Sequence, residues 1–305
     1  MFKNILFSLL LLIPYIPLHP VSLVYTMKLQ RIFSMNSSNS KDEKSLKTFT
    51  ALPILYYKDK HVVDPALFLD IYEKRKAEAC MLSARYVAPS LSWIDVSTGI
   101  IHEKATSTGT EKLYKKITGL DDIVINAGIT RKYGKKCEIV YYGLAGFPAK
   151  RKVGIQEDQE TFTGTRFFSA GIGTEASYIP LHNDIQTVTF LFNTRFIHFF
   201  ERKWYPILPK NSKIVPGNIT DLLCAAFFRH KNNMIELGYN PTFFTNHGKQ
   251  VNSKNYYSEN FNRNTVYLTL AKELRSTWGI GFARSYEKRY SSHAQSYWAY
   301  VNHSF

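Results

Sequence analysis

From about residue 79 to the C-terminus, apolar residues recur at every second position. In the last stretch, Tyr297, Ala299, Val301, His303 and Phe305 alternate with Ser296, Trp298, Tyr300, Asn302 and Ser304. Upstream, Val266, Leu268 and Leu270 alternate with Thr265, Tyr267 and Thr269, and Phe190, Phe192 and Phe196 with Thr189, Asn193 and Arg195. A period of two is that of a strand whose faces meet two environments. It predicts ten strands: 79–88, 122–130, 137–147, 164–178, 185–200, 219–229, 234–244, 265–273, 277–287 and 296–305. The stretch 66–76 reads either as a short helix capped by Asp64 with Pro65 at its first position, or as a strand. A hairpin over 48–73 would raise the count to twelve.

One face of the predicted strands is rich in Phe, Tyr and Ile. The other carries Ser, Thr and Asn together with Gly171, Gly173, Gly238, Gly279 and Gly281. A soluble sandwich would dress its exposed face with Lys, Glu and Thr, whereas small polar residues suit a wet lumen. The connections also alternate in length. Segments 131–136, 180–184, 230–233 and 273–276 are short, whereas 150–160, 201–218 and 246–264 are long, and 89–120 reads as a first long loop. Short turns at one end and long loops at the other, with both termini on the short side, are the plan of a membrane barrel with an even strand number.

Composition narrows the class. The chain has 305 residues, 20 Tyr and 21 Phe against 4 Trp, and three widely spaced Cys. The aromatics favour strands. Cys80, Cys137 and Cys224 fit neither a disulfide framework nor a metal knuckle. A mean hydropathy of −0.22 excludes a helical membrane bundle. At the N-terminus, Lys3 precedes an apolar run from Ile5 to Leu18 that is too short to span a bilayer and is broken by Pro14 and Pro17. This reads as a secretory signal, residues 1–26. Residues 27–77, which include the polar stretch 36–47, read as a linker or periplasmic segment, and 78–305 as the barrel.

The terminal aromatic Phe305, preceded by Tyr297, Ala299 and Val301 in alternation, resembles the C-terminal assembly signal of Gram-negative outer-membrane β-barrel proteins. With the signal-like start and the loop alternation, the chain resembles a porin-like member of that class. The resemblance implies an all-β antiparallel transmembrane barrel in the bacterial outer membrane. It also implies contact with outer-membrane lipids and lipopolysaccharide, and insertion by the barrel assembly machinery. The expected function is a passive pore or a structural barrel. An outer-membrane lipid hydrolase and a secreted β-sandwich binding module are the alternatives.

Candidate chemistry is sparse. Glu175, Asn193, Arg195 and Glu236 are predicted to point inward on neighbouring strands, as a charged constriction or as a filling ion-pair network. His247 and Ser253 lack the spacing that outer-membrane lipid hydrolases need. Asp121-Asp122 lacks the companion Asp-x-His element of outer-membrane proteases, so no catalytic residue is assigned. His198 and His230 have no second ligand at a useful spacing, and neither cofactor nor metal is expected. The net charge of +15 concentrates in turns and loops, among them Arg131, Lys132, Lys135, Lys136, Arg202, Lys203 and Lys213. That suits anionic lipopolysaccharide or small anionic solutes. No nucleic-acid motif accompanies it.

Overall fold

Outward-facing side chains make a continuous apolar band. Phe49, Leu55, Ile94, Val96, Ile100, Ile129, Phe190, Phe192, Phe196, Val266, Leu268, Leu270, Ile280 and Phe282 are all large, apolar and exposed. In water such a surface would aggregate; against lipid chains it is the favourable solvent contact. The computed structural model that carries this band describes residues 46–64, 69–108, 113–149, 167–183, 185–200, 202–203, 213–215, 217–245, 248–251, 254–257, 260–287 and 292–304. The predicted signal segment, Phe305, His247 and Ser253 lie outside the described residues.

The wall is built from β1 (Leu46–Asp64), β2 (Leu69–Val87), β3 (Ser92–Thr108), β4 (Leu113–Leu120), β5 (Ile123–Tyr133), β6 (Cys137–Phe147), β7 (Ser169–His182) and β8 (Gln186–Phe199). Two short strands, β9 (Arg202–Lys203) and β10 (Lys213–Val215), precede β11 (Asn218–His230) and β12 (Asn233–Thr245). A further two, β13 (Gly248–Val251) and β14 (Lys254–Tyr257), precede β15 (Phe261–Glu273), β16 (Ser276–Glu287) and β17 (Ser292–Ser304). Each long strand pairs antiparallel with its neighbours, and β17 pairs with β1, so the sheet closes. The short strands β9, β10, β13 and β14 form a separate four-stranded sheet at the long-loop end.

The barrel has twelve staves, the higher of the two expected counts. The wall begins at Leu46, not at residue 78, because β1 and the start of β2 belong to it. Segment 66–76 is strand from Leu69 onward. The stretch 89–120, expected as a loop, is a turn followed by β3 and β4. The cause lies inside the barrel. In 51–57, Leu52, Ile54 and Tyr56 are buried inward while Leu55 and Tyr57 are exposed outward. Both faces are apolar, which erases the period of two. In β3, buried Trp93, Asp95 and Ser97 mix an aromatic, an acid and a hydroxyl on one face.

The fourth stave is made of two pieces. Both β4 and β5 pair with β3, with Ile100 opposite Leu120 and Ser97 opposite Val124. The register changes by one residue between these pairs, which is a bulge at Asp121–Asp122. It turns two successive side chains to the same side, and both aspartates are buried.

The expected small, polar inner face is only half correct. Adding a Cβ at Gly173 would meet the Tyr142 ring, at Gly238 the Tyr267 ring, at Gly279 the Tyr300 ring, and at Gly281 the Trp298 ring. Each glycine faces inward beneath an aromatic of the adjacent strand, to which register pairs it. The inner wall therefore carries bulk as well as small residues, and the glycines are the seats of that bulk.

Following register partners round the barrel measures its stagger. The path runs Leu46, Val87, Trp93, Gly128, Tyr142, Gly173, Arg195, Asp221, Thr242, Arg263, Glu287, Ser292. Because Asp59 pairs with His293, the path meets β1 again at Lys60, 14 residues beyond Leu46. Twelve strands with that stagger tilt by about 40° and give a backbone radius of roughly 12 Å.

The glycine seats make a prediction. Replacing Gly281 by Leu should displace the Trp298 ring and cost about 1–3 kcal/mol. It is read as a lower urea midpoint for conversion of the folded to the unfolded gel band, whereas Gly143→Ala serves as the control, because a Cβ there meets nothing closer than 3.8 Å.

Candidate functional site

The inner face carries a polar stripe. Register sets its course: Arg85 pairs with Asp95, Asp95 with Asn126, Glu175 with Asn193, Arg195 with Asp221, Asp221 with Thr242, and Arg263 with Glu287. All of these are buried. Register rows run perpendicular to tilted strands, so the stripe climbs as it goes round. It starts at Arg85, near the short-turn end of β2, and reaches Glu287 at the long-loop end of β16, a rise of roughly 30 Å.

Its groups hold one another. The Arg195 guanidinium donates from Nη2 at 2.8 Å and from Nε at 3.3 Å to Asp221 Oδ2. Thr242 Oγ1 donates to Asp221 Oδ1 at 2.7 Å, so both carboxylate oxygens are engaged. Asn193 Nδ2 donates to Glu175 Oε2 at 3.2 Å, and the Tyr142 hydroxyl donates to Asn193 Oδ1 at 3.1 Å. Lower down, Asn126 Nδ2 donates to Asp95 Oδ1 at 2.8 Å, and the Arg85 guanidinium lies 4.0 Å from the Trp93 ring centroid. Near the top, Arg263 meets Glu287 at 2.8 Å, with Lys58 at 4.0 Å from the same carboxylate.

Two apolar clusters border the stripe. One contains Leu52, Ile54, Tyr56, Met81, Phe227, Tyr267, Trp298 and Tyr300. The other contains Leu144, Phe167, Ile197, Phe199, Ile219 and Phe244. The buried charged residues of the described chain are Lys58, Arg75, Arg85, Arg195 and Arg263 against Asp95, Asp121, Asp122, Glu175, Asp221 and Glu287. Five bases against six acids make these buried side chains close to neutral, so the +15 of the whole chain does not come from them.

Of the inward candidates expected from sequence, Glu175, Asn193 and Arg195 lie together on β7 and β8. Arg195 bonds Asp221 of β11, and Glu175 accepts from Asn193. Glu236 faces inward on β12 in register with Phe227 and Thr269, in the neighbourhood of the apolar cluster and away from the other three. Asp221, Asn240, Thr242, Arg263 and Glu287 were not anticipated, and neither were Arg85, Asp95 and Asn126. Asp221 alternates with Leu223, Ala225 and Phe227 on a mixed inner face. The signal that would have found it is its place opposite Arg195 once the two strands are laid antiparallel. Tyr297, Ala299 and Val301 face outward at the β17 seam. Among the described residues no group of three or more His, Cys, Asp or Glu is arranged to hold a metal ion.

No family model matches the chain, and no curated protein matches it. Solved structures do. The fold is similar to an outer-membrane channel from Pseudomonas putida F1, with a TM-score of 0.60 at 10% identity, covering 84% of this chain and 95% of that one. It is also similar to the transport unit of the autotransporter AIDA-I from Escherichia coli, with a TM-score of 0.51 at 9% identity, covering 88% and 92%. The protein has the fold of a bacterial outer-membrane β-barrel.

The Arg195–Asp221 pair yields a second prediction. Its side chains are 1% and 4% exposed. Asp221→Asn would leave the guanidinium uncompensated and cost about 3–5 kcal/mol. The double variant Arg195→Met/Asp221→Leu should recover much of that loss in the same urea titration.

Proposed function

We propose that this protein is a narrow passive channel of the bacterial outer membrane for small solutes. The observation that carries this reading is the polar stripe itself. A barrel serving only as scaffold is most simply filled with apolar side chains. This one keeps a file of charged and amide groups from one mouth to the other, between two apolar walls. Ser83 Oγ, Ser97 Oγ and Asn126 Oδ1, at the short-turn end of the file, are buried and have no hydrogen-bond partner within the protein. Such atoms favour water beside them. The outer apolar band and the closed ladder support the membrane location.

The interior charge balance bears on selectivity. A near-neutral lining passes cations and anions without strong preference, so the basic excess acts at the mouths, where it raises the local concentration of anionic solutes. Inner residues such as Leu52, Met81, Arg195 and Asn302 are at most 2% exposed, which keeps the passage narrow.

Two measurements test the reading. The unboiled protein, expressed with its leader, should fractionate with the outer membrane and migrate apart from the boiled form on a gel; a freely soluble protein without that shift overturns the location. In planar bilayers it should give small, weakly selective unitary currents, and Glu175→Gln should move the reversal potential toward anion preference. A folded barrel that passes no current in bilayers would leave the structural reading in its place.

A further inference from the structure

At the short-turn end, one sector of the inner wall is lined by small uncharged polar groups. In register, Thr277 of β16, Asn302 of β17, Thr50 of β1, Ser83 of β2 and Ser97 of β3 stand side by side. All five face inward and are at most 6% exposed. Register partners on adjacent strands lie about 5 Å apart, so five staves carry this row over roughly 20 Å.

Hydrogen bonding in this sector is half complete. Thr50 Oγ1 donates to Asn302 Oδ1 at 3.3 Å, yet Asn302 Nδ2 is buried without a partner among the described residues. Asn126 Nδ2 donates to Asp95 Oδ1, yet Asn126 Oδ1 is left over. Ser83 Oγ and Ser97 Oγ, opposite each other in register, have no partner there either, and nor has Trp93 Nε1 on the strand of Ser97. Asp121 Oδ2 is in the same position at the bulge, where Thr98 Oγ1 donates to the Asp121 carbonyl. A buried polar group without a partner costs free energy. The backbone of the wall is committed to its own ladder, so the missing partners have to come from the lumen.

The chemistry of these groups says what fits them. Trp93 Nε1 and Asn302 Nδ2 only donate, Asn126 Oδ1 and Asp121 Oδ2 accept, and the two serine hydroxyls do either. A sugar hydroxyl donates and accepts at once. Successive hydroxyls along a saccharide therefore satisfy a mixed row, which an ether chain, a carboxylate or an ammonium group cannot do. Asp95 and Asp121 beside the row disfavour an anion, and Arg85 disfavours a cation. We infer that the sector from β16 through β1 to β3 is a binding subsite for an uncharged polyhydroxylated solute, a short oligosaccharide in length. The inference deepens the channel reading by naming its solute class, and rests on that reading for a route into the lumen. The row is covered in this structure. Arg85, two residues from Ser83 on the same face and 4.0 Å from the Trp93 ring centroid, is the long side chain beside it that swings aside to admit the solute.

The test uses the full-length barrel in an amine-oxide detergent, which has no sugar headgroup, with maltotriose, gluconate and hexaethylene glycol as probes. Equilibrium dialysis should show saturable binding of maltotriose, weakened about tenfold or more by Ser83→Ala/Ser97→Ala. The double variant Thr174→Ala/Thr194→Ala, a register pair on the outer face by its alternation with buried Glu175, Asn193 and Arg195, should leave binding unchanged. The gel shift of the unboiled variants establishes that both are folded. In bilayers, maltotriose should interrupt the unitary current of the parent but not of the serine variant. Absence of saturable maltotriose binding, equal weakening by both double variants, or equal binding of hexaethylene glycol would overturn the subsite. Tighter binding of gluconate would make it an anion site, which also overturns the proposal. Unitary current without saturable binding would leave the channel and remove the subsite, whereas binding without current would count against conduction alone.

Discussion

Everything in this molecule follows from the requirement that no backbone donor or acceptor meets hydrocarbon unpaired. An open sheet leaves two edges, and each exposed amide in lipid costs several kcal/mol. The pairing of β17 with β1 removes both edges at once. Closure with a stagger of 14 residues then fixes tilt, radius and the diagonal course of every row of side chains. The polar stripe follows three neighbouring register rows, so it takes its slope from the same constraint and could not be straightened without changing the stagger.

A radius of about 12 Å leaves an interior that side chains can largely occupy. The protein fills it unevenly. Aromatic rings lie over inward glycines at four adjacent-strand pairs, which lets Tyr142, Tyr267, Tyr300 and Trp298 lie flat against the wall. Between the resulting apolar clusters Arg195 is matched by Asp221 and Arg263 by Glu287, each across a single strand boundary. Pairing between neighbours is what makes buried charge tolerable here. Asp221 receives bonds from β8 and β12 simultaneously, so the ladder that closes the barrel also aligns the network inside it.

The legible and illegible parts of the sequence divide along the same line. Where the inner face is small or polar, the alternation is plain. Thus 185–200 and 277–287 match β8 and β16 closely, and the short turn containing Gly134, with its positive φ, falls where the sequence places it. Where the inner face is apolar, alternation vanishes. The run from Ala51 to Tyr57 reads as a hydrophobic block because Leu52, Ile54 and Tyr56 pack inside while Leu55 and Tyr57 face outward. The missing two staves are those whose inner residues build or adjoin the apolar clusters. The site was partly legible for a related reason. Inward direction can be read from one strand alone, which located Glu175, Asn193 and Arg195. Partnership needs the register between two strands, and Asp221 became visible only with it.

The two solved structures described above show why the outer face cannot decide function. A channel and an autotransporter's transport unit share this wall with the present chain at about one residue in ten. So low an identity is expected if the membrane constrains only the chemistry of outward positions: any Phe, Leu, Ile or Val satisfies lipid, and alternation survives while identity does not. The inward positions are under no such common demand. What they carry here is a file of charged and amide groups of both signs rather than a uniform apolar filling or a field of one sign. A file of that kind lowers the electrostatic barrier for small ions and dipoles of either sign without holding any of them strongly, and passive conduction requires that weak grip. The distribution of charge between the two faces then becomes intelligible. Under the channel reading, basic residues in excess would trap anions inside the barrel, whereas the buried charges of the described residues are five bases against six acids.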